Sequence, residues 1–236
     1  MDKLNLEEIA EMVEGKIKEK RNDAFADNVF IDSRLGKAHG VFFALSGTVT
    51  DGHNFIKSAV ENGAVTVVVS MECESFGANV IMVEDTFKAL QKMAKAYRER
   101  FNIPFISITG SSGKTTNKDL IACVLSQKYN VHKTIGNFNS STGVPLTLFE
   151  LRHENEISVI ETSMNAPGEI LGNADIVRPE TAVITNIGTA HIEFLGSREN
   201  IFKAKSEVLT YLKKGDTAIV NGDDDLLAGL KSDVFD

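Results

Sequence analysis

The run Phe105-Ile106-Ser107-Ile108-Thr109-Gly110-Ser111-Ser112-Gly113-Lys114-Thr115-Thr116 constrains this chain more than any other feature. Its first five residues are mostly β-branched or aromatic and predict a buried strand. After the glycines, Asn117 to Gln127 places Leu120, Ile121, Val124 and Leu125 at helical spacing. Strand, glycine loop, Lys-Thr and helix is an arrangement that binds nucleotide phosphates. Loop N–H groups turn inward, and the helix N-terminus adds partial positive charge. The lysine reaches the terminal phosphates, and the following hydroxyl binds Mg²⁺. The strict spacing would put a glycine five positions before Gly113, where Ile108 stands. Gly110 lies three before it, so the loop is a variant. Gly110, Ser111, Ser112, Gly113, Lys114, Thr115 and Thr116 are its candidate nucleotide-binding residues.

Similar apolar runs recur at Val41–Leu45, Val65–Val69, Val80–Val83, Ser158–Glu161, Thr181–Thr185 and Thr217–Val220. They suit strands of a parallel sheet covered on both faces. Helical spacing appears at Leu6–Val13, Phe87–Phe101 and Ile201–Leu212. Alternating strands and helices predict an α/β fold: a small N-terminal α/β domain, then a doubly wound, mostly parallel nucleotide-binding domain. The charged end of the second helix pattern, followed by Asn102-Ile103-Pro104, places the boundary so that 1–99 and 100–236 are the two domains. A doubly wound nucleotide domain is expected to continue past the segment Leu226–Asp236.

The 33 Asp and Glu outnumber the 25 Lys and Arg, for a net charge of −8. That argues against a general nucleic-acid binder. No apolar run approaches the ~18 residues of a membrane helix, and Met1–Asn5 opens no signal-peptide core. Cys73 and Cys123 lie far apart and form neither metal spacing nor a disulfide framework. A cytoplasmic protein without a membrane span is expected.

Other candidates lie at strand ends. Glu161 closes the run Ser158–Ile160, where a carboxylate would face the crevice at the C-terminal edge of a parallel sheet and could hold Mg²⁺. Thr185-Asn186-Ile187-Gly188 ends another strand, and His191 follows. Asp223–Asp225 could face the nucleotide or form a solvated turn. Lys203 and Lys205 are about 200° apart on a helix, so one can face the site while the other faces water.

Together these residues resemble the ATP-dependent Mur ligases of bacterial peptidoglycan synthesis. Ile31-Asp32-Ser33-Arg34, Gly40–Gly47 and Asp51-Gly52-His53-Asn54-Phe55 resemble that family's uridine-nucleotide-binding domain. Gly110–Thr116 resembles its phosphate loop. Gly136–Asn139 and Gly143–Leu148 look particular to the member that joins D-Ala-D-Ala to UDP-N-acetylmuramoyl-tripeptide. Glu161, Asn165 and Gly168-Glu169-Ile170 resemble its acidic motif, although Ala166-Pro167 stands where a histidine is usual. Thr185–Gly188, His191–Glu193, Gly196-Ser197 and Ala204–Glu207 complete the set.

The resemblance implies ATP and two Mg²⁺ ions. Lys114 would hold the β- and γ-phosphates, with Thr115 and Glu161 on one Mg²⁺. His191 and a CO₂-derived carbamate on Lys205 would serve the second. Ser33, Arg34, Asn137 and Asn139 would serve the substrate, and Asn221 and Asp223 the adenosine. It implies an amide ligase working through an acyl phosphate, and the expected form is a monomer. It also implies a further C-terminal domain, so this chain alone is expected not to turn over. Two other readings are a non-catalytic nucleotide or UDP-precursor binder and the family member that adds the third peptide residue.

Overall fold

The computed structural model describes residues 1–47 and 50–235. The chain divides into two compact units, Met1–Arg100 with Leu148–Arg152, and Phe101–Thr147 with His153–Asp236. The second unit's last residue, Asp236, lies outside the described residues.

The first unit comprises α1 (Leu6–Met12), β1 (Lys16–Glu19), β2 (Asn28–Phe30), β3 (Gly40–Phe43), α2 (Ile56–Glu61), β4 (Ala64–Val69), β5 (Asn79–Met82) and α3 (Thr86–Arg98). Its sheet order is β1-β5-β4-β3-β2. β1 runs antiparallel to β5, and the other pairings are parallel. The short strands β1 and β2 lay outside the sequence expectation, because four and three residues carry too little periodicity to signal a strand.

Helix ends in this unit are set by side chains. Asn5 Oδ1 accepts from Glu8 N at 2.8 Å while Glu8 Oε2 accepts from Asn5 N at 2.9 Å, a reciprocal cap on α1. Asp85 caps α3 through Lys88 N at 3.0 Å. α3 buries Ala89, Leu90, Met93, Ala94 and Tyr97, a stripe at helical spacing.

Tyr97 is fully buried, and its hydroxyl accepts from Asp2 N at 2.9 Å and donates to Leu151 O at 3.1 Å. Burial pushes the phenol up to about 12. Tyr97→Phe would take the buried hydroxyl from Asp2 N and one of two donors from Leu151 O, which keeps Arg152 Nη1 at 2.9 Å. It is expected to cost about 1–3 kcal/mol of unfolding free energy, measured by urea unfolding.

The second unit comprises β6 (Phe105–Thr109), α4 (Lys114–Leu125), β7 (Val131–Lys133), α5 (Gly143–Leu148), β8 (Ile157–Glu161), α6 (Glu169–Val177), β9 (Thr181–Ile184), α7 (Ile192–Leu195), α8 (Arg198–Ser206) and β10 (Thr217–Val220). Leu148, the last residue of α5, groups with the first unit. The sheet order β10-β9-β6-β8-β7 is wholly parallel.

Among the elements that were expected, three details differ. α4 starts at Lys114 rather than Asn117, so the Lys-Thr pair forms the helix's first turn. The helix expected to reach Leu212 ends at Ser206 and passes into a 3₁₀ turn, Glu207–Leu209. β10 is an edge strand that pairs with β9 and leaves Ile219 51% exposed, so it is not covered on both faces.

One face of this sheet packs Ile108, Val159 and Val183 against Ala122 of α4. The other packs Ala182 and Ile184 against Ile170, Ile201, Ala204 and Val208. The chain passes from β8 to one side of β6 and returns as β9 on the other. The C-terminal ends of these three strands therefore flank a topological switch point, where open α/β sheets bind ligands.

Candidate functional site

Strand register brings the candidate residues together. Ile108 pairs with Glu161 across β6 and β8, and Thr109 pairs with Ile184 across β6 and β9. The loop Gly110–Gly113, the carboxylate of Glu161 and the segment Thr185–Gly188 therefore leave one sheet edge side by side.

The loop is shaped by its glycines and fastened by the segment after β9. Gly113 has φ +75°, and a Cβ there would meet nothing nearer than 3.4 Å, which leaves an open cradle at the start of α4. Ser111 N donates to Asn186 O and Ser112 N to Asn186 Oδ1, both at 3.0 Å. Asn186 Nδ2 donates to Ser112 Oγ at 2.7 Å, Thr185 Oγ1 to Ser112 O at 2.6 Å, and Gly188 N to Ser111 Oγ at 2.9 Å. The amides of Ser111 and Ser112 thus hold the loop's shape. The N–H groups of Lys114, Thr115 and Thr116 open α4 and have no intrahelical acceptor, so the helix N-terminus presents the anion-binding donors.

Lys114 Nζ donates to Gly110 O at 2.9 Å. Burial lowers its ammonium below the ordinary value, and the charge of Glu161 partly restores it. Glu161 is 1% exposed. Its Oε1 accepts from Thr115 Oγ1 at 3.1 Å and from Asn139 Nδ2 at 2.8 Å. Ser163 Oγ donates to Asn139 Oδ1 at 2.8 Å and fixes that amide's orientation. Glu161 Oε2 is buried and has no hydrogen-bond partner.

A hard divalent cation takes carboxylate and hydroxyl oxygens and completes its shell with phosphate oxygens and water. The orphaned Oε2 beside a threonine hydroxyl fits such an ion, and the open cradle with Lys114 fits the phosphates. Among the described residues, no group of three or more His, Cys, Asp and Glu gathers as a metal cage.

Lys205 is 1% exposed, whereas Lys203 on the same helix is exposed, which resolves the choice left open by their spacing. Burial, and then the nearby Lys114, push the Lys205 amine down to about 8. His191 is half-buried at φ +66° and opens α7. Asn221 Oδ1 accepts from Asp223 N at 3.0 Å, closing a turn. Asp224 joins this turn to the site, because its Oδ2 accepts from Ile187 N at 2.7 Å. Arg198 donates to Ile187 O at 3.0 and 2.9 Å and pairs through two nitrogens with Asp225. Asp224 and Asp225 are thus tied into the fold, while Asn221 and Asp223 stay exposed. Asn137 is exposed, and its carbonyl accepts from Asn139 N at 2.7 Å.

In the first unit, Ser33 is buried and its carbonyl accepts from Asn62 Nδ2 at 3.0 Å. Arg34 makes a two-pronged pair with Asp32 at 2.9 and 2.6 Å, which holds the Asp32 carboxyl down at about 2. His53 Nε2 accepts from Ser70 N at 3.0 Å, so its Nδ1 carries the proton and donates to Asp51 Oδ1 at 2.6 Å. The Asp51-Gly52-His53 motif thus serves as a fold brace between the β3 and β4 edges.

Sequence reasoning missed Lys118 and gave Asn186 no role. Lys118 sits four residues after Lys114 on α4, a spacing that puts both on one face. That spacing was readable once α4 was known to begin at Lys114. Asn186 acts through its backbone and amide together, which no composition signal marks.

The second unit is thus a phosphate-loop nucleotide-binding domain of the doubly wound class. The family model described as Mur ligase middle domain matches residues 108–234, and that described as Mur ligase family, catalytic domain, matches residues 26–98. The chain belongs to the Mur ligase family. It is 42% identical over 230 residues to the UDP-N-acetylmuramoyl-tripeptide–D-alanyl-D-alanine ligase of Bacillus subtilis, covering 96% of this chain and 50% of that protein. For the ligase of the same name from Synechocystis the identity is 45% over 207 residues, covering 87% and 46%.

A crystal structure of MurF from Acinetobacter baumannii matches with TM-score 0.91 and 34% identity, covering 97% of this chain and 51% of that one. MurF from Thermotoga maritima, crystallised with ADP, matches with TM-score 0.77 and 34% identity, covering 84% and 46%. The chain spans about half the length of the curated relatives it matches.

Proposed function

We propose that this chain supplies the UDP-substrate part (1–99) and the ATP-binding part (100–236) of a ligase that joins D-Ala-D-Ala to UDP-N-acetylmuramoyl-tripeptide. The observation that carries the reading is the convergence of Lys114, Thr115 and the buried, half-unpaired Glu161 at the switch point. The likeness to UDP-N-acetylmuramoyl-tripeptide–D-alanyl-D-alanine ligases, and to a MurF crystallised with ADP, supports both the nucleotide and the substrates.

In this reading, Lys114 and the first amides of α4 bind the β- and γ-phosphates. The tripeptide carboxylate attacks the γ-phosphorus, the bond to the ADP oxygen breaks, and an acyl phosphate forms. The amine of D-Ala-D-Ala then attacks the acyl carbon, loses its proton, and inorganic phosphate leaves. A carboxylate is a poor electrophile, and phosphorylation supplies the leaving group. The chain's own contribution is positioning and fixed charge.

Mg²⁺, when bound, neutralises charge on the transferring phosphoryl group. Thr115 and Glu161 would hold one ion, and His191 with a carbamate on Lys205 the other. Asn139, fixed by Ser163, orients Glu161. Ser33 and Arg34 would contact the uridine nucleotide, Asn137 and Asn139 the substrate, and Asn221 and Asp223 the adenosine.

Carbamate formation needs a neutral amine. With a pKa of about 8, roughly a tenth of Lys205 is neutral at pH 7, far more than of an ordinary lysine. In the full-length protein, Lys205→Ala is expected to slow turnover strongly, with partial rescue by added short carboxylates. Wild-type-like turnover would remove the carbamate role. The reading as a whole is tested by ADP release from the full-length protein, which should require both UDP-N-acetylmuramoyl-tripeptide and D-Ala-D-Ala. Equal release without the dipeptide would contradict it.

A further inference from the structure

Lys118 is a buried cation that the reaction above does not use. Its side chain is 3% exposed, and its ammonium lies 3.9 Å from Glu161 Oε2, the carboxylate oxygen without a hydrogen bond. Its other acidic neighbour is Asp119 at 3.6 Å, which is itself bonded to Lys133 at 2.7 Å. Lys118 follows Lys114 by one helical turn, so both ammonium groups approach Glu161 from α4. Lys114 is in electrostatic contact with Glu161 and with Lys205. The carboxylate therefore faces more cationic charge than it carries.

We propose that Lys118 is a positioning residue that occupies the electrostatic place of the divalent cation at Glu161 Oε2, so that the metal enters with the nucleotide phosphates rather than alone. The inference rests on the reading of Glu161 as a metal carboxylate. Its physics is competition. A divalent ion arriving alone must displace or approach a buried ammonium in a low-dielectric pocket, where like charges repel strongly. A metal arriving on a triphosphate brings excess negative charge, which the lysines favour. The geometry separates Lys118 from a lysine that contacts phosphate, because its ammonium is directed between two carboxylates rather than at the loop's open cradle.

The test uses free Mn²⁺ as the probe, followed by electron spin resonance with the 236-residue chain and no nucleotide. Lys118→Met keeps the side-chain volume and removes the charge. Lys118→Gln serves if the methionine variant does not fold, and Lys118→Arg keeps the charge. The methionine or glutamine variant is expected to bind free Mn²⁺ about tenfold more tightly than wild type, a change of about 1.4 kcal/mol. Lys118→Arg should bind it as weakly as wild type, and adding Glu161→Gln to Lys118→Met should abolish the gain.

Equal affinity of wild type and the uncharged variants would overturn the inference, as would a gain that survives Glu161→Gln. Mn²⁺–ATP binding to Glu161→Gln separates the two claims. If that variant binds Mn²⁺–ATP as wild type does, the metal reading of Glu161 fails and the inference with it. If it loses that binding while Lys118→Met gains nothing with free Mn²⁺, only the role of Lys118 fails.

Discussion

Lys114→Ala should weaken ATP binding by about 100-fold or more while leaving the chain folded. The expectation follows from two charge-assisted hydrogen bonds to phosphate at about 1.5–3 kcal/mol each. The side chain's one hydrogen bond in the free protein goes to Gly110 O, and burial already disfavours its charge, so its removal should leave the chain folded. A second readout follows from charge. Lys114 helps depress the Lys205 amine, so without it the Lys205 pKa should rise from about 8 toward the ordinary lysine value. Calorimetry with ATP and an NMR titration of the Lys205 side chain check the two effects. Unchanged ATP affinity would remove the phosphate-loop assignment.

Gly110→Ala should be strongly damaging to the second unit. Gly110 sits at φ +150°, a conformation that side chains rarely adopt, and a Cβ there would lie 1.8 Å from Thr185 Oγ1. Thr185 would have to move, yet its hydroxyl holds Ser112 O at 2.6 Å. The loop would lose a fastening and keep the backbone strain. A cost of about 2–4 kcal/mol in stability is expected, with loss of ATP affinity in the fraction that folds. Adding Thr185→Ala should recover part of the stability, because it removes the 1.8 Å contact but leaves the 3.0 Å approach to Cβ and the φ. Thermal unfolding of the two variants measures this. A single variant as stable as wild type would contradict the packing described here.

Several parts of this arrangement were readable from residues alone. The Phe105–Thr109 strand, its glycine loop and Glu161 carry local signals: β-branched runs, a glycine that needs positive φ, and a charge where a strand ends. The short strands Lys16–Glu19, Asn28–Phe30 and Val131–Lys133 carry no such signal, since their pairing is decided by neighbours distant in sequence. α6 was missed for a related reason. Its N-terminus is fixed by Glu207, whose carboxylate accepts from Gly168 N at 2.9 Å and Leu171 N at 3.0 Å from 36 residues or more away. The fastening of the loop by Asn186 and the burial of Lys118 against Glu161 are likewise products of tertiary packing. Lys205 shows the intermediate case. Helical spacing said that it and Lys203 face differently, and only packing decided which one is buried.

The most direct test of the central claim is a structure of this chain crystallised with ADP and Mg²⁺. The account predicts the β-phosphate at the N-terminus of α4, within hydrogen-bonding reach of Lys114 Nζ and the Thr115 amide. It also predicts the metal between Thr115 Oγ1 and Glu161. Nucleotide bound away from the Gly110–Thr116 loop, or a metal held without Glu161, would contradict it.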